Sequence, residues 1–453
     1  MNFLFINPPY VIGTDGMAVM PNKAMLPTGP LSIASAIEAK GHEVKLVDLV
    51  FQKNWRACLS RISPNFDRVL ICCHTARNIV PVKTVLDFLR EQGLQSHVTL
   101  GGNLALEFGV DEFSRLGIEV DAVVRGYGHG EAVNMIVEEG KGDIQENKVT
   151  PEIPLPNLSL LDKRTRTLYR KQSEGQYPII GPGGFGCRWF RKCNYCSSQM
   201  GLTSTPRDFD NLLEEVKLAK RFGYHHFWCV DNLVNAFPEL LLRFDSELRI
   251  RGCVWSGMTR PELIVKDSEL VARLKVCTEI AFGVESGSNE QLIGYNRGAG
   301  DNHYELTTEA FRIVDKARIN TTAFVMLDGP METEESFWKL YKLFQAVKPT
   351  SVSWSFYNPP ATIGLLEKNH LPNEYGFYRW PMGCSVIPRE RIVQQVMILS
   401  GVGWCGWILD EDNPFFENEQ EFGVRFRGKL LLQPRNARSP IGDIWETWEE
   451  QDT

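Results

Sequence analysis

The 453-residue chain has no apolar run approaching the roughly 18 residues of a membrane-spanning helix, so nothing in it reads as a membrane span. It also lacks an excess of positive charge. Lys and Arg total 49 against 56 Asp and Glu, a formal charge of −7. That balance argues against a nucleic-acid partner or an anionic lipid surface, both of which need a basic footprint. The opening Met-Asn-Phe-Leu-Phe-Ile-Asn-Pro-Pro lacks a basic stretch and a cleavage site, so no secretory signal is expected. No internal repeat of solenoid period is present. The cysteines do not pair off. Eleven is an odd number, which argues against an even disulfide framework and for a reducing, cytoplasmic compartment. Most are expected to be small buried hydrophobes. At 43% hydrophobic and 23% charged residues, the composition is that of a globular chain.

What is present is alternation. Short apolar runs read as strands at Asn2–Asn7, Glu43–Leu49, Arg68–Cys73, Val98–Leu100 and Asp121–Val124, with amphipathic helices between them. This pattern predicts a doubly wound α/β unit with a parallel sheet over residues 1–145. Such sheets bind ligands beyond the carboxyl ends of their strands, where Asn7-Pro8-Pro9, Thr75 to Asn78, Gly101-Gly102-Asn103 and Gly126 to Gly130 fall. Residues 146–175 are polar and proline-bearing and read as a linker, with the basic run Lys163 to Lys171 as solvated surface. Strand candidates resume at Tyr177–Ile180, His226–Val230, Val254–Met258, Glu279–Val284, Thr321–Leu327 and Val352–Phe356. Six such units predict a partial or full parallel (β/α) barrel over 176–360. The aromatic-rich remainder, 361–453, holds Trp380, Trp404, Trp407, Phe415, Phe416, Trp445 and Trp448 and reads as a small C-terminal substrate or capping domain.

Three cysteines, Cys187, Cys193 and Cys196, follow the first barrel strand at spacing C-x5-C-x2-C. Thiolates select zinc or iron–sulfur clusters. A structural zinc site closes with a fourth ligand nearby, and the nearest histidines, His225 and His226, are almost thirty residues away. Three ligands suit a [4Fe–4S] cluster with one open iron. Structural zinc and three unrelated thiols remain alternative readings. Arg188, Arg191 and Lys192 would offset negative charge in this loop. Cys72 and Cys73, adjacent on a strand, should face opposite ways as core thiols. Cys58, Cys229, Cys253, Cys277, Cys384 and Cys405 have no ligand spacing and read as packing residues.

The cysteine segment resembles the radical S-adenosylmethionine (SAM) superfamily, whose usual motif is C-x3-C-x-aromatic-C. Cys193, Tyr195 and Cys196 match its second half, while Cys187 stands two residues further upstream than the family pattern. Phe227 to Asn232, Ser256 to Arg260, Phe282-Gly283-Val284-Glu285-Ser286-Gly287-Ser288, Tyr295 to Gly298 and Leu327 to Thr333 resemble successive strand-end segments of that family. The resemblance implies that the open iron chelates SAM, and that electron transfer yields a 5′-deoxyadenosyl radical. It implies Tyr195 near adenine, with Asp231, Arg260, Glu285 and Ser286 as further SAM contacts. Glu285 could instead be a structural carboxylate paired with Arg260 or Arg297, and Asp231 a strand-end or helix cap.

Residues 1–140 resemble the cobalamin-binding domain that precedes the barrel in one radical SAM subclass. Asn7 to Tyr10, Leu26 to Leu31, Gly41 to Val44, Thr99 to Asn103 and Val123 to Glu131 carry the likeness in order. It implies cobalamin contacts from Pro9, Thr28, Thr75, Arg77, Asn78, Gly101, Gly102, Asn103, Gly126, Gly128 and Glu131. The Asp-x-His-x-x-Gly motif is absent: none of His42, His74, His97 and His129 has Asp two places before it. Arg77 is then expected near the lower cobalt face; alternatively it is a surface residue at a helix start. The resemblance as a whole implies a cobalamin-dependent methyltransferase that uses methylcobalamin and the radical to methylate an unactivated carbon of a small-molecule or peptide substrate. It also implies an electron donor such as flavodoxin or ferredoxin. A non-methylating cyclisation or rearrangement, or a non-catalytic iron–sulfur or zinc protein, are the alternatives.

Overall fold

A computed structural model describes residues 1–356, apart from 11, 13–14, 19–20, 22–23, 63–64, 75–77, 139, 147–149, 192, 197–204, 299, 301, 328 and 330. The expected C-terminal domain with its aromatics, including Cys384 and Cys405, therefore lies outside the described residues, as do Thr75 and Arg77. Among the described residues, no helix is long and apolar enough to cross a membrane.

Two six-stranded sheets, wholly parallel, organise the chain. The first contains β1 (Asn2–Asn7), β2 (Glu43–Asp48), β3 (Arg68–Cys72), β4 (His97–Gly101), β5 (Ala122–Arg125) and β6 (Gly142–Gln145), in the order β2-β1-β3-β4-β5-β6. Winding reverses at β1, so a ligand crevice opens at the carboxyl ends of β1 and β3. One buried cluster, including Val69, Ile71, Cys73 and Val98, covers one face of this sheet. Another, including Phe3, Phe5, Leu70 and Cys72, covers the opposite face. Cys72 and Cys73 thus point to opposite sides, as the period of a strand requires.

The second sheet contains β7 (Gln176–Ile179), β8 (His226–Cys229), β9 (Val254–Thr259), β10 (Cys277–Glu285), β11 (Asn320–Leu327) and β12 (Ser351–Phe356), paired in sequence order. Helices such as Phe209–Arg221, Pro238–Ile250 and His303–Lys316 separate the strands, giving a partial (β/α) barrel. Several helix starts are capped as their sequences dictate. Asp208 accepts from Asn211 N at 2.7 Å, and Thr333 and Ser336 bond each other reciprocally.

The stretch read as a linker holds more structure than its composition suggests. Strand β6 ends immediately before it, and the helix Lys163–Gln172 lies within it, capped by Asp162. This helix buries only Thr165 and Tyr169, one turn apart, so its basic residues hide an amphipathic period too sparse to read. The two sheets share one core, in which Leu26, Leu31, Val50 and Phe51 pack with Tyr169, Tyr177, Phe209 and Phe227.

Candidate functional site

The cysteine loop leaves β7 at its carboxyl end, and polar contacts pin its root. Arg207 donates to Ile180 O at 2.8 Å and pairs with the buried Glu215 at 2.6 Å. Asp231, just past β8, accepts the Gly181 N–H at 2.8 Å. Burial pushes the Asp231 carboxyl up to about 7, against the donors that stabilise its charge. At Gly184, φ is +72°, and an added Cβ would stand 2.2 Å from Thr205 O, so only glycine fits. The next residue, Phe185, pairs with Thr205 through two backbone bonds of 2.8 and 3.1 Å.

A buried charge cluster underlies Cys193. The Arg260 guanidinium lies over the Trp189 ring at 3.6 Å and donates to Cys193 Sγ at 3.9 Å and to Arg297 O at 2.9 Å. Trp189 Nε1 reaches the same carbonyl at 2.9 Å. Glu262 Oε1 sits 2.6 Å from Arg297 Nη1 and 3.4 Å from Arg260 Nη2. Burial raises the Glu262 carboxyl, but the two guanidiniums outweigh it and hold it at about 2.

Beside this cluster, Tyr195 packs edge-on against Tyr295 at 5.8 Å and hydrogen-bonds Glu285. Burial, then the Glu285 and Cys193 charges, raise the Tyr195 hydroxyl far above its ordinary value, so it stays protonated. Glu285 ends β10 at φ +66°, where the register with β11 shifts. Burial raises its carboxyl, with Arg297 and Arg260 opposing. A non-glycine residue held in this conformation at a sheet's carboxyl edge marks a functional candidate.

The fold brings Cys193, Tyr195, Arg260 and Glu285 together. Cys187 and Cys196 lie half-buried on the same loop. Ser286 turns away into a buried network with Gln291, and its carbonyl bonds His303 Nε2 at 3.2 Å. Among the described residues, no group of three His, Cys, Asp or Glu stands close enough to hold a single metal ion. Three thiols on one loop are the donor type that iron–sulfur clusters take. Arg260 Nε is buried with no hydrogen-bond partner among the described residues, a donor that suits an anionic ligand.

At the first sheet's carboxyl edge stand Pro9, Asn78, Gly101, Gly102, Asn103, Gly126 and Gly128. Thr28 begins the helix Thr28–Ala39, and Glu131 begins Glu131–Val137, where an acid suits the helix N-terminus. Asn7 Nδ2 donates to Asp48 at 2.8 Å, and Tyr169 donates to the same oxygen at 2.7 Å. Burial pushes the Asp48 carboxyl up to about 6. Cys72 Sγ lies 3.1 Å from His74 Nε2, and burial keeps both groups neutral. Asn7 Oδ1 is buried and unbonded among the described residues, an open acceptor suited to a ligand rich in amide N–H groups, as cobalamin is. The glycine loop is closed from within, since Glu146 accepts Gly128 N at 2.7 Å and Gly130 N at 2.5 Å.

The two edges meet. Tyr127 and His129 of the glycine loop pack on Phe185, with ring centroids 4.6 and 5.5 Å away. Sequence reasoning missed this contact, along with Glu262, Arg297 and Trp189 as partners of Arg260. Glu262, two places after Arg260 at a strand end, was the one local signal available.

Residues 183–344 match the model of the Radical SAM superfamily. The chain is 28% identical over 37% of its length to a probable threonylcarbamoyladenosine tRNA methylthiotransferase of Archaeoglobus fulgidus, covering 42% of that protein. It spans about half the length of the methylthiotransferases it matches. It is 22% identical over 99% of its length to the anaerobic magnesium-protoporphyrin IX monomethyl ester cyclase of Synechocystis, covering 91% of it. In fold it resembles the radical S-adenosylmethionine methyltransferase TsrM from Kitasatospora setae, determined with cobalamin and a [4Fe-4S] cluster bound. The TM-score is 0.61 over 81% of this chain and 75% of that one, at 18% identity.

Proposed function

We propose that the chain is a cobalamin-dependent radical SAM methyltransferase acting on an unactivated carbon of a small-molecule or peptide substrate. The observation that carries this reading is the meeting of the two ligand edges at Phe185, Tyr127 and His129. A methyl donor held by the first sheet and a radical made at the second must act on one substrate, so their sites must face each other. The likeness in fold to TsrM, which spans both sheets, supports the pairing.

Cys187, Cys193 and Cys196 would hold a [4Fe–4S] cluster, which supplies the electron that cleaves SAM. Around it the chain's own groups have defined tasks. Arg260 would offset the Cys193 thiolate, and its Nε, without a hydrogen-bond partner among the described residues, would take the SAM carboxylate. Tyr195 and Glu285, hydrogen-bonded to each other, would meet the nucleoside or amino end. Cobalamin would lie on the edge built by Asn7, Pro9, Gly101, Gly102 and Gly126, supplying methyl transfer. An electron donor such as flavodoxin or ferredoxin and a cytoplasmic setting belong to the same proposal.

The near full-length match to a cyclase favours a second reading, in which radical chemistry proceeds without methylation. Anaerobic turnover with SAM and a low-potential reductant separates the two. Methylation gives 5′-deoxyadenosine together with S-adenosylhomocysteine, and a product heavier by one methylene. Deoxyadenosine alone, with no gain of mass, would overturn the methyltransferase reading.

A further inference from the structure

We propose that Tyr127, a residue of the first sheet's glycine loop, is a positioning residue for the cysteine loop of the second. The inference rests on the reading that this loop holds the cluster, and it assigns the placing of the first ligand, Cys187, to a hydroxyl from the other half of the molecule.

Gly186, the residue in front of Cys187, is gripped at both its N–H and its carbonyl. The Gly186 N–H donates to the Tyr127 hydroxyl at 2.9 Å. The Gly186 carbonyl accepts from Asn232 Nδ2 at 2.8 Å. Gly186 itself sits at φ +74°, so the chain turns sharply there and the two bonds set the direction in which Cys187 leaves. The Tyr127 ring packs edge-on against Phe185 at 4.6 Å, immediately before the gripped peptide.

The loop that carries Tyr127 is itself held from its own side. Glu146, only 5% exposed, accepts the N–H groups of Gly128 and Gly130, on the residues just after Tyr127. An added Cβ on Gly126 would meet the Glu146 Cβ at 2.7 Å, so the carboxylate closes tightly on the loop. Burial raises the Tyr127 hydroxyl, and the nearby Asp231 charge raises it further, so it remains protonated. Its lone pair can then accept from Gly186 while its proton is free for another partner. A contact made only for packing would need the ring and not the oxygen.

Tyr127→Phe in the full-length, reconstituted protein separates those roles, because it keeps the ring and removes the acceptor. We expect a folded protein with unchanged iron content and a melting temperature lowered by a few degrees at most, but an altered electron paramagnetic resonance spectrum of the reduced cluster. We also expect weaker SAM binding, by up to about tenfold, with one lost hydrogen bond as the ceiling on what the loop can transmit. A wild-type spectrum and wild-type SAM affinity in Tyr127→Phe would overturn the proposal. If that variant fails to fold, hydrogen exchange in the wild-type protein decides: a Gly186 amide protected from exchange supports the grip, and one exchanging as fast as an open loop refutes it. A wild-type protein that takes up no iron and sulfide would instead sink the cluster reading, leaving the exchange measurement to judge the grip.

Discussion

Replacing Glu262 by Gln tests the charge cluster beneath Cys193. The side chains of Arg297 and Glu262 are 1% and 11% exposed, so the pair is screened little by water. Gln keeps the shape and one acceptor oxygen but removes the carboxylate that bonds both guanidiniums. Breaking a buried pair this way strands charge in a poorly solvated place and costs about 3–5 kcal/mol. The titration of the residue gives a second route to the same quantity. A carboxyl held at about 2 against an ordinary 4.5 contributes ~3 kcal/mol at neutral pH. The two routes agree, and we expect Glu262→Gln to lose ~3 kcal/mol in urea unfolding of the full-length chain.

The sign with pH follows from the depressed value. Above the unfolded-state pKa the unfolded carboxylate is ionised too, and the full contribution is present. As pH falls toward about 2 the folded carboxylate also takes up a proton, and the contribution disappears. The stability gap between wild type and Glu262→Gln should therefore be constant from about pH 7 to 5 and shrink by more than half at about pH 3. A gap below ~1 kcal/mol at neutral pH, or one that does not close on acidification, would refute the reasoning.

Three further outcomes follow from other contacts. Tyr169→Phe removes the donor 2.7 Å from the buried Asp48 and should cost about 1.5–3 kcal/mol, read by chemical denaturation. Asp48, pushed up to about 6 by burial, is a group whose folded form keeps its proton longer, so its ionisation costs stability as pH rises through about 4 to 6. Asp48→Asn should therefore gain on wild type over that interval, a trend visible in melting temperatures taken at successive pH values. Gly184→Ala places a Cβ 2.2 Å from Thr205 O and 2.8 Å from Pro206 Cα. The barrel should still fold, as circular dichroism would report, while the displaced loop loses its iron and its visible absorption.

The strands of both sheets were legible where each carries its own apolar run. Phe3 to Ile6 and Ala281 to Val284 announce themselves locally, and the cysteine loop does so by spacing. The helix Lys163–Gln172 was not legible, because only Thr165 and Tyr169 face inward. What the sequence conceals most are contacts between distant positions. Arg297 meets Glu262 across 35 residues, Gly186 meets Tyr127 across 59, and Tyr169 meets Asp48 across 121. None has a period or a motif, because each is specified by the packing of two elements and not by either alone. Asp231 shows the converse. Its place after β8 allowed both a SAM contact and a strand-end role, and its Oδ2 accepts the loop's own Gly181 N–H, a task that only the folded loop creates.

The least legible strand has the largest consequence for the site. Strand β6 offers one buried side chain, Ile144, in four residues, too little for any periodicity to show. Its pairing with β5 nevertheless delivers the next residue, Glu146, to the carboxyl edge, where it closes on Gly128 and Gly130. Without that strand the glycine loop would present free N–H groups to the crevice, as a nest for an outside anion. With it the loop is already satisfied, and its side chains, Tyr127 and His129, turn toward Phe185. An internal carboxylate thus changes the loop from a place that binds by its backbone to one that touches the cysteine loop by its rings. The joining of the two halves of the site depends on a strand whose own residues give almost no sign of it.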